Sequence, residues 1–168
     1  MYVDALRSSA QRPSNVIVVF TATVSCILIP SASGQETVPA EVGQCLKALG
    51  SGYAISSKIN PKYLRGYFHG GRKPEYAILI QKNQKQGIMF CAVGAPPAVI
   101  GAGTVFKEMP DLNFTSWRVH SKSDRVERGV GERAPPKLLG DALLLEWESA
   151  SAIVYWNGRR FGWYQQGD

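Results

Sequence analysis

The chain has 168 residues, with 19 Lys and Arg against 13 Asp and Glu, for a net charge of +6. Acids are interleaved with the cations, as Glu127 and Glu132 are between Arg125 and Lys137, so the charge describes a mixed solvated surface and argues against a nucleic-acid-binding stripe. The length is the size expected of one domain, and it suffices to bury a core without a dense set of disulfides.

Residues 1–34 read as an export signal. Arg7 and Arg12 precede an apolar run from Val16 to Ile29, Pro30 ends it, and Ser31, Ala32, Ser33 and Gly34 supply small residues for cleavage after Ser33 or Gly34. The run is shorter than the roughly 20 residues that a spanning helix needs. A retained anchor, including a lipid anchor on Cys26 after Thr23-Val24-Ser25, and a buried core helix are the alternatives. Asp4, Arg7 and Arg12 together carry +1, so cleavage leaves +5 of the original +6. The expected organisation is a signal peptide, 1–34, and one exported domain, 35–168, periplasmic or secreted, with no membrane span after cleavage. Its charge suits an acidic partner, an anionic envelope polymer or an acidic protein.

Thr37 to Leu49 is predicted helical. Val42, Cys45, Leu46 and Leu49 form one apolar stripe, Pro39 suits the first turn, and Gly50 suits the stop. Cys45 and Cys91 are the pair that survives cleavage, and an even pair in an oxidising compartment predicts a disulfide. Two separate buried thiols are the alternative.

Beyond Tyr53 the period changes. Tyr76 to Ile80 is a continuous apolar run, predicted to be a strand covered on both faces. A polar loop from Gln81 to Gly87 leads to a second strand, Ile88 to Val93. Val99 to Phe106 and Ser116 to His120 are further candidate strands. Ser121 to Leu138, charged and containing Gly129, Gly131 and Pro135-Pro136, reads as a long loop or excursion.

Ala142 to Trp147, Ala152 to Trp156 and Arg159 to Tyr164 are predicted strands. Asn157-Gly158 reads as a two-residue hairpin turn. That turn pairs Trp156 with Arg159, Val154 with Phe161, and Ala152 with Trp163. Val154, Trp156, Phe161 and Trp163 then face the core, with Arg159 over Trp156 as a cation–π contact. Ile153, Tyr155, Arg160 and Tyr164 form the opposite face, and Tyr155, Arg160 and Tyr164 are the candidate binding residues. The predicted fold class is α+β, one N-terminal helix packed on an antiparallel, hairpin-rich sheet.

Leu64 to Ile80 reads Leu-Arg-Gly-Tyr-Phe-His-Gly-Gly-Arg-Lys-Pro-Glu-Tyr-Ala-Ile-Leu-Ile. It resembles the calcium-loop core of FG-GAP/VCBS-type repeats, roughly Gly-Asp-Phe-Asp-Gly-Asp-Gly-Lys-Pro-Asp-Tyr-Ala before an apolar strand. Gly66, Phe68, Gly70, Lys73, Pro74, Tyr76 and Ala77 match. Tyr67, His69 and Gly71 stand where the family has its first three loop carboxylates, and only Glu75 keeps an acid. Calcium needs several hard oxygen ligands at short spacing, so the resemblance implies a surviving backbone turn without the ion. The closing stretches 140–146 and 151–161 look like the last strands of small exported bacterial proteins that carry one such loop.

The chain holds no His-x-x-x-His, Cys-x-x-Cys, Gly-x-Ser-x-Gly or phosphate-loop pattern, so no metal, cofactor or catalytic residue is assigned. Glu146 and Glu148 share strand parity, a pattern more typical of a solvent face than of an acid–base pair. Asn113-Phe114-Thr115 is a sequon, meaningful only in a eukaryotic secretory route. The expected function is a non-enzymatic exported binding or accessory domain, its partner an envelope or exported protein or a glycan. Two alternatives stand beside it. One is a small exported hydrolase joining His69 or His120 to Glu75, Glu146 or Asp141. The other is a structural subunit of an envelope assembly.

Overall fold

The computed structural model describes residues 38–131 and 133–166. The expected export signal (1–34, with Cys26) and Thr37 lie outside the described residues. Among those described there is one helix, α1 (Ala40–Ala48), followed by nine strands: β1 (Ala54–Ile55), β2 (Tyr63–Gly66), β3 (Glu75–Lys82), β4 (Lys85–Cys91), β5 (Ala98–Gly101), β6 (Ser116–His120), β7 (Ala142–Glu146), β8 (Ser151–Trp156) and β9 (Phe161–Gln166). All pairing is antiparallel. One sheet runs β1-β3-β4-β5, with β2 also on β3; the other runs β6-β7-β8-β9. None of the described helices is long and apolar enough to cross a membrane.

Period-2 alternation builds the layers. Ala77, Leu79, Ile88, Phe90 and Ile100 of the first sheet share one buried cluster with Trp117, Leu143, Leu145, Val154 and Phe161 of the second. The opposite face of β3 and β4 presents Ile78, Ile80, Met89 and Cys91, which cluster with Val42 and Cys45 of α1. The disulfide is present: Cys45 and Cys91 are bonded, joining α1 to β4. Gly50 receives the helix end with its N–H on the Lys47 carbonyl at 3.1 Å. On the far side of the second sheet, Ala142, Leu144, Ile153 and Tyr164 cluster with Val126 and Leu138. Segment 121–138 is therefore an excursion without helix or strand among its described residues, and it roofs that face.

Two turns differ from expectation. The β3–β4 loop is Asn83-Gln84, not the longer Gln81–Gly87. Both residues have positive φ, 49° and 64°, the twist-matched hairpin geometry, and it lets the ladder continue to Lys82 opposite Lys85. At the other hairpin, the two-residue Asn157-Gly158 turn is replaced by a four-residue loop. Asn157 Oδ1 accepts the N–H groups of Arg159 at 3.0 Å and Arg160 at 2.9 Å, and Asn157 N–H donates to the Arg160 carbonyl at 3.1 Å. The register becomes Trp156 with Phe161 and Val154 with Trp163. A slip of two residues preserves which face each side chain takes. Val154 and Phe161 are accordingly in the inter-sheet core, with Trp156 and Trp163 packed against it.

Strands β1 and β2 carry no clear sequence signal. They exist because β3 is central and offers them its second edge: Tyr63 to Gly66 pair with Ile78 to Glu75, and Ala54 and Ile55 with Gln81 and Ile80.

Candidate functional site: a cationic and aromatic cleft

A hollow of about 970 Å³ runs between the two sheet edges β5 and β9. Ala98, Val99 and Ile100 line one side, and Phe161, Gly162 and Trp163 the other. Lys107, Arg133, Arg159 and Arg160 bring four cations to its walls. Phe106, Tyr155 and Trp156 add to its aromatic lining. Among the described residues, no Asp or Glu lines it. Such a site favours an anion electrostatically and offers flat apolar surface beside the charges.

The walls are stiffened by ring contacts. Trp163 meets Trp147 at 5.6 Å and Phe106 at 6.1 Å between centroids. Phe161 stacks on Phe90 at 3.7 Å, anchoring the hairpin to the first sheet. Tyr155 lies across Gly162, where a Cβ would come within 2.9 Å of the phenol ring. Glycine at this position therefore lets the Tyr155 ring lie flat over β9 beside the cleft.

The three predicted binding residues are not on one open face. Tyr155 and Arg160 both line the cleft, Tyr155 from β8 and Arg160 from the turn. Tyr164 is buried beneath the excursion, and its hydroxyl donates to the Arg133 carbonyl at 2.9 Å. It holds the segment whose Arg133 reaches the cleft. The expected contact of Arg159 with Trp156 followed from the wrong register; His69 and Phe161 are the ring partners of Trp156, at 4.4 and 5.2 Å. Sequence reading missed Lys107, Phe106 and Arg133, since nothing local ties those loops to the hairpin.

The resembling segment forms strand, loop, strand: β2 ends at Gly66, Phe68 is fully buried, and β3 begins at Glu75. His69 Nδ1 lies 2.6 Å from Glu75 Oε2, across the loop. Glu75 is buried, so its hydrogen-bonded His offsets much of the cost of desolvating the carboxylate. Asp141 locks the loop from outside, accepting Tyr67 N–H at 2.9 Å and Lys122 N–H at 3.1 Å, while its own N–H donates to Tyr67 O at 3.0 Å. No three His, Cys, Asp or Glu side chains converge among the described residues.

His120 is buried on β6, and its Nε2 has no partner among the described residues. Glu146 accepts from Ser116 Oγ at 2.5 Å and lies 3.6 Å from Arg118, so surface neighbours on β6 satisfy it. Comparison with known proteins finds no matching family model, no matching curated protein and no matching solved structure.

Proposed function

We propose that this domain is an exported, non-enzymatic binding module that takes an anionic ligand into the cleft between β5 and β9. The observation that carries this is the gathering of Lys107, Arg133, Arg159 and Arg160 around half-buried rings with no described carboxylate among them. Tyr155 and Arg160 contact the ligand; Tyr164 holds Arg133 in place. The disulfide supports an oxidising compartment. In this reading Leu64–Ile80 is an eroded calcium-type loop, in which the His69–Glu75 bond spans positions that an ion would otherwise tie together.

The test is a titration with polyanions followed by tryptophan fluorescence, since Trp156 and Trp163 both line the cleft. Binding that weakens with salt, and weakens further in Arg159→Ala/Arg160→Ala, supports the reading. Polyanion binding unchanged by that double substitution sinks it.

A second reading has its own observation. The His69–Glu75 pair is the acid–histidine couple that a small hydrolase would need. If the purified domain hydrolyses ester or glycoside panels and Glu75→Gln abolishes the activity, the enzyme reading replaces the first.

A further inference from the structure

We infer that the occupant of the cleft is an acidic polypeptide that adds in extended form to the free edge of β9. This rests on the cleft being an anion-binding site, and it names the ligand's chemical class.

Three observations favour a polypeptide over an anionic polysaccharide. First, β9 is the last strand of its sheet among the described residues, and the cleft follows consecutive residues of it, Phe161 to Trp163. Counting outward from the Asn157–Arg160 bond, the alternation of an antiparallel ladder turns the main-chain groups of Phe161 and Trp163 away from β8, toward the free edge. Those groups offer donors and acceptors at the repeat of another peptide chain, which a sugar polymer does not share. Second, the facing wall is also a sheet edge, β5, so the hollow is bounded by strand edges on both sides. Third, the cations flank that line from different elements: Arg159 and Arg160 from the hairpin turn, Arg133 from the excursion, Lys107 from the loop after β5. An extended acidic chain in the hollow would therefore meet cations contributed by three separate segments. Edge-to-edge pairing of β9 with β9 of a second copy would bring the same four cations together, which like charge disfavours.

The experiment compares three probes on the intact domain: a short oligo-L-glutamate, the same peptide N-methylated at every amide so that neither of its edges can donate, and an oligogalacturonate of equal charge. The expected result is binding of the plain peptide, at least about tenfold weaker binding of the methylated one, because two ladder bonds are lost, and weaker binding of the uronate. Amide hydrogen exchange at Phe161 and Trp163 should slow when the plain peptide is bound. Equal affinity for all three probes, or unchanged exchange at both amides, overturns strand addition and leaves the anion-binding cleft standing. Binding of none overturns both.

Discussion

His69 and Glu75 close a loop between two strands with a single 2.6 Å hydrogen bond, and the same imidazole packs on Trp156 and Phe161, 4.4 and 5.1 Å away by ring centroids. One residue thus ties the β2–β3 loop to the hairpin that walls the cleft. Its loss leaves a buried carboxylate without this partner and removes ring packing from beneath Trp156.

His69→Ala should lower stability by about 1–3 kcal/mol, the cost of leaving a buried acceptor unmatched. Glu75→Gln should cost less, because the neutral amide retains a hydrogen-bonding oxygen and is cheaper to bury. Urea denaturation of both variants gives the ordering. A His69→Ala variant as stable as the parent would show that water replaces the imidazole.

Breaking the Cys45–Cys91 bond should be the more costly change. The bond closes a loop with a sequence separation of 46, which the chain-entropy model values at about 4 kcal/mol. Cys45→Ala/Cys91→Ala, or reduction, should shift the denaturation midpoint accordingly. A shift below about 1 kcal/mol would mean that α1 clusters well enough with Ile78, Ile80 and Met89 to need no covalent tie.

Asp141 is half-buried and should be a sensitive carboxylate. It accepts N–H groups from Tyr67 and Lys122, two segments otherwise far apart in sequence. Asp141→Ala should cost about 2 kcal/mol or more, and Asp141→Asn roughly half of that, since one oxygen acceptor remains. The neighbouring Gly140 sets a steric limit at the same junction: a Cβ there would run into Tyr67 O and the backbone of Gly70. Gly140→Ala should destabilise by about 1–3 kcal/mol, readable as a lowered melting temperature.

Tyr164→Phe removes one hydroxyl bond, to the Arg133 carbonyl, and leaves the ring packed. Stability should fall by about 1 kcal/mol or less. Oligo-glutamate affinity should fall with it, because Arg133 then samples positions away from the cleft. Unchanged affinity would assign Tyr164 to packing alone.

The face each strand residue takes was legible in the chain because period-2 alternation depends only on local geometry. Ala77 and Leu79 go one way, Ile78 and Ile80 the other, and Val154 and Trp156 share a face whatever the turn does. The half-cystine pair was legible because only two cysteines, Cys45 and Cys91, lie beyond residue 34. The turn lengths were not. Asn157-Gly158 satisfies the local rule for a two-residue turn, yet the Asn157 side chain caps two N–H groups and the hairpin closes two residues later, opposing Trp156 to Phe161 above Phe90.

The sequence by itself therefore determined the strands of strongest alternation, the faces they bury and the available cross-link, since neighbouring residues decide these. Only the tertiary structure decided that β1 and β2 form, that segment 121–138 covers Tyr164, and that Lys107, Arg133, Arg159 and Arg160 meet around one cleft. The physical reason is the same in each case. A short strand needs a partner edge, a face becomes core when something distant covers it, and charges form a site only when separate loops are brought together.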